Sequence, residues 1–178
     1  GSPIVFQTDT LPAIGCLPKF SEMIYKIKKR DIKKPLILMG AENFEFEDFV
    51  HESALGDFKY IASRYWPGPL TIIVPISEKR RSFSTSSNYT IGLRIPNSKM
   101  AKLLLKKSGP LLTSSANISG MPTATNAKEI SISLPNVNIL GPVPWENCSG
   151  NASTIISWAN HGKWKIIREG DTSITGIN

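Results

Sequence analysis

The chain has 178 residues, a formal net charge of +7, 40% hydrophobic and 20% charged residues. That length suits one domain able to bury a substantial core, and the composition excludes disorder. No apolar run approaches the roughly 18 residues a membrane span needs, and two cysteines, Cys16 and Cys148, are too few for a disulfide framework.

In chain order, "PIVFQTDT" (3–10) predicts a strand running into a turn. "FSEMIYKIKKR" (20–30) predicts a helix with Phe20, Met23 or Ile24, and Ile27 at helical spacing, and with Lys26, Lys28, Lys29 and Arg30 gathering at its end. Pro35 stops it, and "PLILM" (35–39) is a short buried strand. Residues 55–66 predict a second helix, halted by Pro67-Gly68-Pro69. "LTIIVP" (70–75) and "TIGLRIP" (90–96) are strands, and the polar stretch 76–89 between them predicts a mobile loop. "NSKMAKLLLKKSG" (97–109) is a helix with a polar start and a glycine stop, and "PLLTSS" (110–115) is a strand. Asn126 and Glu129 predict a capping box on a further helix. "STIISW" (153–158) and "KWKIIRE" (163–169) close the chain as strands. Alternating strands and helices, then two adjacent strands, predict an α/β fold with an open, twisted mixed sheet flanked by helices. A single domain is expected over 1–178, with Gly1-Ser2 read as an expression scar. The start carries no basic n-region and no long apolar stretch, so a cytoplasmic, reduced setting is expected. The Asn-x-Ser/Thr matches at Asn88, Asn117, Asn147 and Asn151 then carry no glycosylation meaning.

Missing motifs narrow the chemistry. There is no Gly-rich phosphate loop, no dinucleotide fingerprint, no metal-spaced His/Cys/Asp cluster and no G-x-S-x-G. His51 and His161 stand apart from any Ser or Cys motif. What remains is Lys, Arg, Ser, Thr and Asn, a palette suited to neutralising and positioning anions, as in nucleotidyl or phosphoryl transfer. The net charge, and "KIKKRDIKK" (26–34) with six basic residues in nine, point to a polyanionic partner, either nucleic acid or a phosphorylated small molecule. Lys28 and Arg30 are taken as exposed charges. "LLTSSANISG" (111–120) reads either as a polar turn after a strand or as a ligand-facing loop at the strand's C-terminal end. Trp66, Trp145, Trp158 and Trp164 are expected to pack in the core or on the surface rather than stack on bases.

Several segments, in order, resemble one family. "QTDTLPAIGC" resembles the P-T-[DE]-T-V-Y-G-L-G-C start of the YrdC-like threonylcarbamoyl-AMP synthases. "IYKIKKRDIKKPL" is similar to their Lys-x-Arg segment, "WPGPLTIIV" to W-P-G-P-[LV]-T, and "IGLRIPN" to A-[VL]-R-x-P. "TSSANISGMPTAT" resembles T-S-A-N-x-S-G, while "ASTIISW" and "IIREG" resemble the closing S-T-[IV] and [IL]-R-x-G elements. The likeness spans roughly residues 4 to 170.

The resemblance implies a YrdC-like fold with a basic concave site that joins L-threonine, bicarbonate and ATP into L-threonylcarbamoyl-adenylate and releases pyrophosphate. That product serves the t6A modification at position 37 of ANN-decoding tRNAs, through a partner threonylcarbamoyl transferase complex. Weak tRNA binding and no membrane association are expected. The resemblance assigns ATP to Lys28, Arg30, Lys34, Ser115, Asn117, Thr123 and Arg168, and threonine to Thr10, Arg94, Thr113 and Ser153. Lys28 and Arg30 would act electrostatically. No residue is assigned as acid or base, because a carbamate is itself an oxygen nucleophile. No protein metal site is expected, with Mg²⁺ held mainly by phosphate oxygens. The chain departs from the family at Gln7, Pro12, Ala13 and Met39, where a Pro, a Tyr, a Gly and a His are usual. Two other readings stay open: a non-catalytic module binding structured RNA, and a paralogue of the same fold with another acyl acceptor.

Overall fold

The computed structural model describes residues 2–146 and 148–176. Gly1 of the expected scar and Asn147 of the Asn-x-Ser/Thr matches lie outside the described residues. The strands are β1 (Ile4–Phe6), β2 (Ala13–Cys16), β3 (Ile37–Met39), β4 (Leu70–Pro75), β5 (Thr90–Arg94), β6 (Leu111–Ser115), β7 (Asn138–Ile139), β8 (Thr154–Asn160) and β9 (Lys163–Arg168). They form one nine-stranded sheet in the order β7-β1-β2-β6-β3-β5-β4-β8-β9. The pairs β1/β7, β3/β5 and β4/β8 are parallel and the others antiparallel, so the sheet is mixed, as the alternation of elements predicts.

Successive strand residues point to opposite faces, and this separates the two sides of the sheet. On one face, Val5, Ile14, Leu38, Leu70, Ile72, Leu93, Leu112 and Ile156 form the main core. Packed into it are Ile24 of α1 (Ser21–Lys28), Phe58 and Ile61 of α2 (Glu52–Tyr65) and Ile130 of α4 (Ala127–Ser133). On the other face a smaller core of Phe6, Ala13, Met39 and Leu111 lies under Ala101 and Leu105 of α3 (Lys99–Ser108). The α3 helix covers only part of this face. The uncovered part carries the polar residues of the strands.

Caps explain most helix limits. Ser98 accepts from Ala101 N at 3.3 Å and starts α3. Asn126 accepts from Glu129 N at 2.9 Å, but the Glu129 carboxylate turns to Thr125 N rather than closing the box on Asn126. The α2 helix begins at Glu52, three residues before the predicted start, because His51 Nδ1 accepts from Ser53 N. Met23 is exposed and Ile24 fully buried, which settles the face of α1. The predicted loop 76–89 instead holds a 3-10 helix, Glu78–Phe83. Arg80 lies over the Phe49 and Phe83 rings, and Ser84 Oγ donates to Thr90 O at 2.7 Å. The tryptophans pack as expected: Trp66 is in the main core, and Trp158 Nε1 donates to Asp57 at 2.8 Å.

Candidate functional site

The alternation that buries Leu70 and Ile72 turns Thr71 and Ile73 to the partly covered face. Register carries this across the sheet: Met39 pairs with Arg94, Ile37 with Thr113, and Ile155 with Arg168, so all share that face. The result is a cleft of about 390 Å³ with Ile37, Met39, Gly92 and Thr113 among its lining residues, together with Arg30, Arg94 and Arg168. A wider depression of about 690 Å³ lies beside α3, but its mixed lining, Leu103, Leu104 and Trp145 beside Gln7, Asp9 and Lys107 among others, includes none of the predicted site residues. The central cleft is therefore the candidate site.

Eight predicted residues meet there: Thr10, Arg30, Arg94, Thr113, Ser115, Thr123, Ser153 and Arg168. Lys28, Lys34 and Asn117 do not line it. Lys28 is 1% exposed rather than a surface charge, because it falls four residues after Ile24 on the buried side of α1. Its ammonium donates to Ser115 O, Asn117 O and, at 2.9 Å, Asn117 Oδ1. Burial, then the neighbouring Arg30 charge, bring its pKa down to about 8. Asn117 is likewise turned inward: Oδ1 also accepts from Ser115 Oγ at 2.7 Å, and Nδ2 donates to Met121 O. The expectation that Ser115 and Asn117 both face one ligand gives way to a division of labour. Ser115 is at the wall, while Lys28 and Asn117 hold the loop that carries it. Lys34 is exposed, and its carbonyl accepts from Arg30 Nε at 3.2 Å.

Arg94 is 3% exposed. Nη1 donates to Thr10 Oγ1 at 2.9 Å, Nη2 to Asp9 Oδ1 at 2.7 Å and Nε to Gly68 O at 3.3 Å. Three of its five N–H groups are thereby engaged, which leaves two for a ligand. Arg168 donates to Ser153 O through Nη2 at 2.7 Å and Nε at 3.1 Å, and Ser153 Oγ lies 2.9 Å from Thr71 Oγ1. Burial lowers the pKa of all three cleft arginines, and Asp9 opposes that shift at Arg94. Each remains a cation at neutral pH. Asp9 and Thr71 escaped the reading of the sequence. Thr71 could have been found from the alternation of "LTIIV", and Asp9 from its place between two threonines in a turn after a strand.

The cleft can bind a polyanion and surround it with hydroxyls. Among the described residues, no group of three or more His, Cys, Asp or Glu is gathered to hold a metal. Met39, at the position of the family's usual His, lines the cleft, and Pro12 accepts from Ala116 N through its carbonyl at 2.8 Å.

The family model Sua5_yciO_yrdC, described as Telomere recombination, matches residues 1–170. A threonylcarbamoyl-AMP synthase of Idiomarina loihiensis is 30% identical over 132 residues, covering 71% of this chain and 71% of that one. A doubly substituted P. abyssi Sua5 superposes with TM-score 0.86 at 27% identity, over 96% of this chain and 53% of the other. P. abyssi Sua5 complexed with L-threonine gives TM-score 0.83 at 28% identity, over 95% and 50%. The chain thus spans about half the length of those two solved chains.

Proposed function

The chain belongs to the Sua5/YciO/YrdC family, and from that premise we propose that it is an L-threonylcarbamoyladenylate synthase, a nucleotidyltransferase acting on ATP, L-threonine and bicarbonate. The observation that carries this reading is the cleft itself, where three guanidiniums and a set of hydroxyls meet on the open face of the sheet. The names of the relatives, and a threonine complex in a protein of the same fold, support it.

In this reading the α-amine of threonine and bicarbonate condense to a carbamate, with loss of water and a proton. A carbamate oxygen attacks the α-phosphorus of ATP, a P–O bond forms, the bond to the β-phosphate oxygen breaks, and pyrophosphate leaves. The chain holds two anions together and orients them. Arg30 and Arg168 neutralise phosphate oxygens, assisted by exposed Lys34, with Ser115 and Thr123 beside them. Arg94 takes the threonine carboxylate with its two remaining N–H groups, and Thr10, Thr113 and Ser153 surround the rest of the amino acid. Lys28 and Asn117 contribute by fixing the Ser115 loop. The guanidinium and hydroxyl lining does not fit a protein-held divalent cation, so Mg²⁺ would arrive on the triphosphate. The product would pass to a transferase complex that modifies position 37 of ANN-decoding tRNAs.

The test is pyrophosphate release from ATP with threonine and bicarbonate supplied singly and together. Release is expected only when both are present, and release indifferent to threonine would sink the assignment. Serine should be the poorer substrate, by roughly 1–3 kcal/mol for one lost methyl contact.

A further inference from the structure

The three guanidiniums of the cleft are not equivalent. Arg30 donates to the carbonyl oxygens of Lys34 and Pro35, and Arg168 to Ser153. Among the described residues, neither has a carboxylate oxygen within 4.0 Å. Arg94 does: Asp9 Oδ1 lies 2.7 Å away, and the two side chains are only 4% and 14% exposed. The other Asp9 oxygen is buried and meets no donor, so the carboxylate charge is spent on Arg94 alone. Asp9 is also not a wall of the cleft. It stands behind Arg94 and lines the neighbouring depression beside α3.

This arrangement divides the cleft by charge. Arg30 at one end and Arg168 toward the other remain uncompensated at short range, which suits phosphate oxygens. At the Arg94 end the ion pair with Asp9 is neutral and Thr10 Oγ1 accepts from Arg94, while Ser153 Oγ, 2.9 Å from Thr71 Oγ1, also meets Arg168 Nη2 at 3.3 Å, so that Arg168 is the uncompensated cation of this end. A neutral ion pair that still offers two N–H groups, beside a single uncompensated cation, suits a zwitterionic amino acid. Asp171, tied to Asn151 Nδ2 at 3.1 Å, adds a negative charge whose effect on Arg94 is smaller than the opposing effect of Arg168. Without Asp9 the three arginines would merge into one cationic surface in a poorly solvated site, where Coulomb forces are strong. Phosphate or pyrophosphate would then occupy the amino-acid end as readily as the nucleotide end.

Resting on the synthase reading above, we infer that Asp9 is a positioning and specificity residue that acts through Arg94. It fixes the guanidinium and cancels its net charge, so that this end of the cleft holds one uncompensated cation instead of two and favours a zwitterionic α-amino acid over phosphate groups.

The experiment compares wild type with Asp9→Asn, which keeps the shape and removes the charge. Equilibrium binding of inorganic phosphate and pyrophosphate needs no turnover. Asp9→Asn is expected to bind both about tenfold more tightly, a gain that a damaged fold does not produce. Adding Arg94→Gln to that variant should abolish the gain. In the assay, the KM for threonine should rise about tenfold in Asp9→Asn while kcat at saturating threonine falls less than about threefold. Phosphate should become competitive with threonine in the variant, having competed only with ATP in wild type. Unchanged or weaker phosphate binding in Asp9→Asn overturns the inference. If that variant does not fold, wild type decides alone: competition between phosphate and threonine there overturns it as well. Should wild-type pyrophosphate release prove indifferent to threonine, the synthase reading falls, while the phosphate comparison still judges Asp9 as an excluder of anions.

Discussion

Lys28 and Arg30 lie two residues apart at one helix end, yet they do different work. Lys28 is buried with three oxygen acceptors, whereas Arg30 is half-exposed and lines the cleft. Lys28→Ala should cost about 2–5 kcal/mol of stability, since it opens a cavity and strips donors from buried oxygens. ATP affinity would fall with it, because the Ser115 loop loses its fastening. Arg30→Ala should cost at most about 1 kcal/mol of stability while weakening ATP binding directly. Denaturant midpoints and ATP titrations on both variants separate these outcomes, and equal midpoints would contradict the buried fastener. The pH dependence of Lys28 has two opposite parts. Its folded pKa, about 8, lies below its ordinary 10.5, so between those values the unfolded chain binds a proton that the folded chain does not. Its contribution to stability therefore rises as pH climbs through that window, relieving roughly 3 kcal/mol of burial cost. ATP affinity should move the other way above about pH 8, because a neutral amine has two N–H groups for three oxygens. An affinity that stays level up to pH 9.5, with Arg30 intact, would show that the charge on Lys28 is not what holds the loop.

At the scale of elements, legibility followed contrast with the flanking sequence. "LTIIVP", "TIGLRIP" and "PLLTSS" were readable because each couples a run of apolar or β-branched residues to a Pro or Gly boundary. β2 and β7 were not: Ala13–Cys16 and Asn138–Ile139 offer no such run and are held mainly by pairing with distant strands. The 3-10 helix Asn43–Phe49 depends on Phe46 and Phe49 reaching the core, a tertiary fact that no local pattern announces. Site residues followed the same rule. Which types gather was visible, but which face inward depended on register. The β8–β9 hairpin shifts register twice along its length, yet its open end is closely packed. A Cβ on Gly170 would collide with the backbone of Ala152 and Ser153, the latter being the residue that Arg168 grips. Gly170→Ala should therefore displace that segment, costing roughly 1–3 kcal/mol of stability and weakening both ATP and threonine binding. A crystal structure or paired titrations showing both sites intact would refute that coupling.

The whole molecule places its chemistry on the sheet face that the helices leave uncovered, and surrounds it with a net charge of +7. Charge alone cannot separate a nucleotide enzyme from an RNA-binding module, since both meet phosphates with Lys and Arg. A neutral wall residue can. Ser115 lines the cleft, and its hydroxyl donates inward to Asn117 while its lone pairs are left for a ligand. Ser115→Ala alters neither charge nor fold class. If ATP is oriented there, the variant should lose on the order of 1–3 kcal/mol in ATP binding or turnover. Plotted against the logarithm of salt concentration, the ATP affinities of wild type and variant should run parallel with that offset, because Arg30 and Arg168 set the slope in both. Binding of tRNA should be weak and the same in the two proteins. Tight tRNA binding with a steep salt slope, alongside ATP binding that Ser115→Ala leaves untouched, would mean that the basic face grips RNA and that the cleft is not a nucleotide site.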